Sequence, residues 1–102
     1  MFSKLFKNKE EYKFSDPKNT ACMVCSHVLN ENAPILYVSH DAEDGMWQFL
    51  CGSNNHTSEH AKIIALSEAV LMDGSVNQLY EMPLGVGATR ETKNGQWQPF
   101  KL

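Results

Sequence analysis

Apolar and polar positions change their period several times along this chain, and each change marks an element. Residues 21–24, "ACMV", form a continuous apolar run too short for periodicity to settle but rich enough for a core strand. "SHVLNENAP" then reads as a turn of helix or irregular chain that stops at Pro34. Two β-favouring runs follow, "ILYVSH" and "GMWQFLC", joined through an acidic loop that Gly45 closes. Strand, short loop, strand predicts an antiparallel hairpin. On its second strand, alternation places Trp47, Phe49 and Cys51 on one face and Met46, Gln48 and Leu50 on the other. The first set is the more hydrophobic, so it is the predicted buried face, with the Cys51 thiol filling space at its inner end.

"GSNNHTSEH" breaks the pattern with a polar loop, and "KIIAL" reads as a short strand or the lead-in to a helix. Ser67 is placed to N-cap a helix over "EAVLMD", which Gly74 terminates in a left-handed conformation. Ser75 restarts a second helix, with Gln78 completing a capping box and Pro83 stopping it. Near the end, Asn94-Gly95 predicts a type I′ turn that pairs Lys93 with Gln96, Thr92 with Trp97 and Thr89 with Phe100. Pro99 donates nothing to a ladder, so this last strand belongs at a sheet edge. The pattern therefore predicts an α+β fold: an antiparallel sheet of about five strands, two short consecutive helices on one face, and a C-terminal β-hairpin.

Length changes this picture little, since 102 residues make one domain with a single core. "SDPKNT", residues 15–20, divides a basic, loosely ordered tail over residues 1–19 from a domain over residues 20–102. Within the tail, Phe2, Leu5 and Phe6 fall at helical spacing, but the stretch is too short and too charged to span a membrane or act as a signal peptide. Residues 1–20 carry five lysines against three acids, +2, and residues 21–102 carry four basic residues against nine acids, −5. An acidic body argues against nucleic-acid binding, which needs a basic surface to displace counterions, and favours a basic partner surface. Three cysteines cannot all pair in one chain, which with the absent secretory segment points to free thiols in the cytoplasm.

Those cysteines and the nearby histidines are the candidate chemistry. Cys22, Cys25, Cys51 and His56 make a possible Cys₃His zinc set, with His60 in reserve. Against it, residues three apart on a strand point to opposite faces, so Cys22 and Cys25 need a bend to converge. Thiol catalysis has weaker support, because no glycine-flanked nucleophile turn accompanies Cys51, and "HTSEH" lacks the H-E-x-x-H order. "GVGAT" lacks the lysine of a phosphate loop and reads as a crowded start to a strand. Buried thiols and solvated loop histidines are the preferred reading, with no catalytic residue and no cofactor.

The order of "ACMVCSHVL", "GMWQFLCG", "DGSVNQLYEMPLGVGATRE" and "NGQWQPF" resembles the immunity protein 33 family, a bacterial domain of unknown function numbered 2185. The resemblance runs from Ala21 to Phe100. It implies a non-enzymatic protein that neutralises a cognate polymorphic toxin by binding it. Trp47 and Phe49 match the family's tryptophan segment and Cys22 its Ala-Cys start. Cys25 stands where the family pattern has serine, which makes the C-x-x-C pair incidental. A binder of this kind needs aromatic anchors and a complementary field. Asp41, Glu43 and Asp44 concentrate charge in one loop able to mimic phosphate, and Trp97 is the candidate anchor. The expected partner is a toxin protein, with no nucleic acid or membrane involved. The alternatives are a small zinc-stabilised domain and a standalone binding domain without a toxin.

Overall fold

The computed structural model describes residues 11–53 and 58–102. It is a mixed α+β fold built on one six-stranded sheet. In chain order the strands are β1 (Ala21–Cys25), β2 (Tyr37–His40), β3 (Trp47–Leu50), β4 (Ala61–Ala65), β5 (Val86–Thr89) and β6 (Gln98–Lys101). Helix α1 (Ser26–Glu31) follows β1, and α2 (Leu66–Met72) follows β4. Short 3-10 turns cover Ser58–His60 and Gly74–Leu79. No helix among the described residues is long and apolar enough to cross a membrane.

Across the sheet the order is β4-β1-β3-β2-β5-β6. The expected all-antiparallel sheet is corrected at one place: β1 pairs with β3 in parallel, with Met23 opposite Gln48 and Val24 opposite Phe49. β1 therefore lies inside the sheet between β3 and β4, with Cys22 and Val24 buried on one face and Cys25 buried and Met23 half-buried on the other. The β2–β3 hairpin forms as expected, with His40 opposite Trp47 and Tyr37 opposite Leu50. Gly45, at φ 74, closes its loop and returns its N–H to the Asp41 carbonyl at 2.9 Å.

Alternation then sorts the sheet into two faces. Val24, Phe49, Val38 and Ala88 are registered neighbours on four successive strands. They join Val28 from α1, Leu66, Ala69 and Val70 from α2, and Val76 in one buried core. The predicted pair Trp47 and Phe49 lies in that core. The opposite ladder, Ile63–Met23–Gln48–Ser39–Gly87–Phe100, crosses all six strands.

Four local expectations need correction. Residues 11–19 do not hang free as part of a tail. Phe14 is buried and meets Trp47 edge to face, with ring centroids 4.8 Å apart. Asn77 clamps the same stretch, accepting from Lys13 N–H and donating to the Glu11 carbonyl, while Asp16 accepts from the Trp47 indole N–H. The amphipathic spacing of Phe2, Leu5 and Phe6 lies outside the described residues. Helix α2 starts one residue before Ser67, whose N–H bonds to the Lys18 carbonyl; Glu68 reaches back to the Ala65 N–H at 2.8 Å. Gly74 is not left-handed. Instead Asp73 ends α2 in extended geometry and caps the 3-10 turn by accepting from Ser75 N–H at 3.0 Å.

The C-terminal hairpin exists, but its register differs from the expected one. Thr89 faces Gln98 and Gly87 faces Phe100, leaving an eight-residue loop over residues 90–97. Asn94 and Gly95 have no positive φ, so no type I′ turn forms. The reason is Arg90, which leaves the ladder to enter the interior. β6 sits at the sheet edge, as Pro99 required. The crowding expected at "GVGAT" is present at Gly87. A Cβ there would lie 2.8 Å from Phe100 Cζ and 3.0 Å from the Val38 carbonyl oxygen. Gly87→Val is expected to cost about 1–3 kcal/mol through overpacking, measured by urea unfolding. Gly74→Ala, with open space around its Cβ, serves as the control.

Candidate functional site

Sheet topology brings three chain ends to one place. β1 ends at Cys25, the parallel β3 ends beside it just before Cys51, and the antiparallel β4 begins at Ala61, opposite Cys25. The chain then turns into α1, which sets His27 over the same end. The Cys25 and Cys51 sulfurs and a His27 ring nitrogen all lie within 4.8 Å of one another, and the Cys51 Sγ to His27 Nδ1 distance is 3.7 Å. The ring of His60, the last residue before β4, packs against that of His27 with centroids 4.8 Å apart. Gly52, at φ 85, turns the chain after Cys51, and the Ser53 backbone N–H bonds to the Cys51 thiol.

This is not the metal set expected from spacing. Cys25 and Cys51 converge, but Cys22 does not join them, and His56 lies outside the described residues. Strand alternation is the reason: Cys22 shares the core face with Val24, while Cys25 points to the other side. His27 takes the place that sequence reasoning gave to others. The Cys25-Ser26-His27 order carries no metal-ligand spacing of its own, because His27 sits on the first turn of α1.

Neither Cys22 nor Cys51 has the lowered pKa of an activated nucleophile. Burial, with a smaller contribution from the Glu68 carboxylate, pushes the Cys22 thiol up to about 12. Burial also raises Cys51, outweighing the Ser53 N–H, which favours the thiolate. A catalytic cysteine needs the opposite shift. For Cys22 the raised value has a consequence for stability. Below pH 9 the thiol is protonated in both states and its burial costs nothing electrostatic. Above the ordinary value of 9.0 the unfolded chain releases the proton that the folded chain holds, so stability falls as pH climbs toward about 12. Cys22→Ala is expected to flatten that alkaline decline, read from thermal melts between about pH 8 and 11.

The expected partner-binding residues are dispersed in role. Asp41 accepts from Gln48 Nε2 at 2.6 Å, Asp44 accepts from the Met46 N–H at 2.9 Å, and Glu43 is exposed. Trp97 is not a surface anchor on an edge strand. It lies in the loop before β6, buried, with its ring 4.1 Å from the Arg90 guanidinium carbon. Arg90 was not singled out from the sequence. Its side chain donates to the Ile35 carbonyl, to Ser75 Oγ at 2.9 Å and to the Asp73 carboxylate at 2.7 Å. It ties the start of the last loop to the 3-10 turn and to the chain ahead of β2.

Comparison with known protein families, with curated proteins and with solved structures finds no match to this chain.

Proposed function

We propose that this protein is an immunity-type inhibitor, neutralising a cognate toxin domain in the bacterial cytoplasm by stoichiometric binding and performing no chemistry of its own. The observation that carries the reading is the second face of the sheet. The helices bury Val28, Leu66, Ala69 and Val70 on the first face and leave Leu29, Leu71 and Met72 exposed, while on the second face Ile63 is 59% exposed and Met23, Gln48 and Phe100 are half-buried. Tyr37 packs beside Phe100, with ring centroids 5.7 Å apart, and widens the apolar strip. Gln48 belongs to this face, and its bond to Asp41 draws the acidic loop to the rim. Apolar side chains interleaved with polar ones, beside a charged loop, match the mixed composition of a non-obligate protein interface. The segment order shared with the immunity family supports the same reading, and the −5 charge of residues 21–102 suits a partner with a basic groove.

The test is a pull-down from the native cell, followed by an assay of the captured protein's toxicity with and without this one. The inhibitor reading expects a partner that arrests growth alone and is silenced in the complex. A partner harmless by itself would favour a standalone binding domain instead.

A further inference from the structure

We propose that Cys25, His27 and Cys51 form a binding site for a zinc-class divalent ion at the end of the sheet where β1, β3 and β4 meet. The chemistry of the donors points to it. Two thiolates and an imidazole are the soft and borderline ligands that zinc prefers over oxygen-seeking cations. The geometry agrees as well. With metal–sulfur and metal–nitrogen bonds of about 2.3 and 2.0 Å, adjacent tetrahedral ligands stand roughly 3.6 Å apart. The observed 3.7 Å between Cys51 Sγ and His27 Nδ1 is that edge, and the third donor lies within 4.8 Å of both. Only a small closure is needed to place all three around one ion.

Charge favours the site too. Binding releases the two thiol protons, and the pair of thiolates cancels the 2+ charge, so no net charge enters the protein at Cys25, which is 1% exposed. The Ser53 N–H already bonds to Cys51 sulfur, an interaction that supports a thiolate ligand. His27 and Cys51 are half-buried, which leaves a path for the ion. Three protein ligands leave a fourth position, beside which the His60 ring lies. Cys25 sits on paired β1, His27 on the helix that follows it, and Cys51 directly after β3, so the fold meets much of the chain entropy of gathering them. Cys25 lies on the same sheet face as Met23, but the metal titration uses the protein alone, so its outcome is read independently of the toxin test.

The experiment is a titration of the full-length, reduced protein with Co(II) and then Zn(II), followed by absorption spectroscopy and native mass spectrometry. The expected result is one metal per chain, with a thiolate-to-cobalt charge-transfer band that zinc abolishes. Cys51→Ser and His27→Gln are each expected to weaken binding at least about tenfold, since loss of a direct ligand costs no less than loss of an outer partner. Circular dichroism checks that both variants remain folded, and both positions are half-buried and so tolerate substitution better than Cys25. Cys22→Ser is expected to bind as the parent does. The proposal is overturned by a cobalt spectrum without the charge-transfer band, by folded Cys51→Ser and His27→Gln variants that bind like the parent, or by equal loss of affinity in folded Cys22→Ser. Thiol counting that finds Cys25 and Cys51 joined in a disulfide would overturn it as well.

Discussion

Arg90→Ala is expected to destabilise the protein by about 3–5 kcal/mol, because it strips the partner from a carboxylate held in a low-dielectric site. The Arg90 and Asp73 side chains are only 1% and 9% exposed. Removing the guanidinium also leaves the Ile35 carbonyl without its side-chain donor and the Trp97 ring without its stacking partner. Arg90→Lys retains the charge but lacks the fork that reaches Ile35, Ser75 and Asp73 together, so an intermediate loss is expected. Denaturant melts of Arg90→Ala, Asp73→Ala and the double variant would give the coupling directly. A double variant that loses the full sum of the two single losses would show that the pair is not coupled, contrary to the geometry.

Phe49→Ala is expected to cost about as much, roughly 3–5 kcal/mol, by a different mechanism. Phe49 is fully buried on a central strand between Val24 and Val38, and it stacks on Trp47 with ring centroids 6.2 Å apart. Truncation leaves a cavity that rigid strands cannot collapse into. Ile63→Ala, an apolar truncation on the opposite face, is expected to stay within about 0.5 kcal/mol, as exposed positions do. The contrast between these two variants, measured by urea unfolding, reports which face of the sheet is the core.

The hairpin carrying Trp47 and Phe49 was legible because strand alternation is local. A two-residue period and a loop with Gly45 decide it without reference to the rest of the chain. The consecutive helices after β4 were legible for a similar reason, although Asp73 rather than Ser75 supplies the second cap. What failed depended on distant partners. The register after Thr89 is set by Arg90 turning inward to Asp73 and Ser75, seventeen and fifteen residues back. No turn propensity at Asn94-Gly95 carries that information. Phe14 belongs to the core because Trp47 and Phe49 offer it an aromatic surface. Within its own lysine-rich stretch it looks like a lone tail residue.

The thiol–imidazole cluster shows the same division. Spacing suggests Cys22 with Cys25, whereas alternation along β1 sends the two thiols to opposite faces. The real neighbours of Cys25 are settled by the parallel pairing of β1 with β3, a long-range choice that brings Cys51 to its side. Nothing in the spacing of residues 25 and 51 announces it.

Stoichiometry tests the central claim most directly. Titrating the captured toxin's activity with this protein should give a sharp endpoint at one molecule per toxin. Ile63→Asp, which puts a charge into the exposed apolar strip while sparing the core, should shift the curve strongly to higher concentration. Full neutralisation at a small fraction of one equivalent would show turnover, and with it a catalytic function that the account denies.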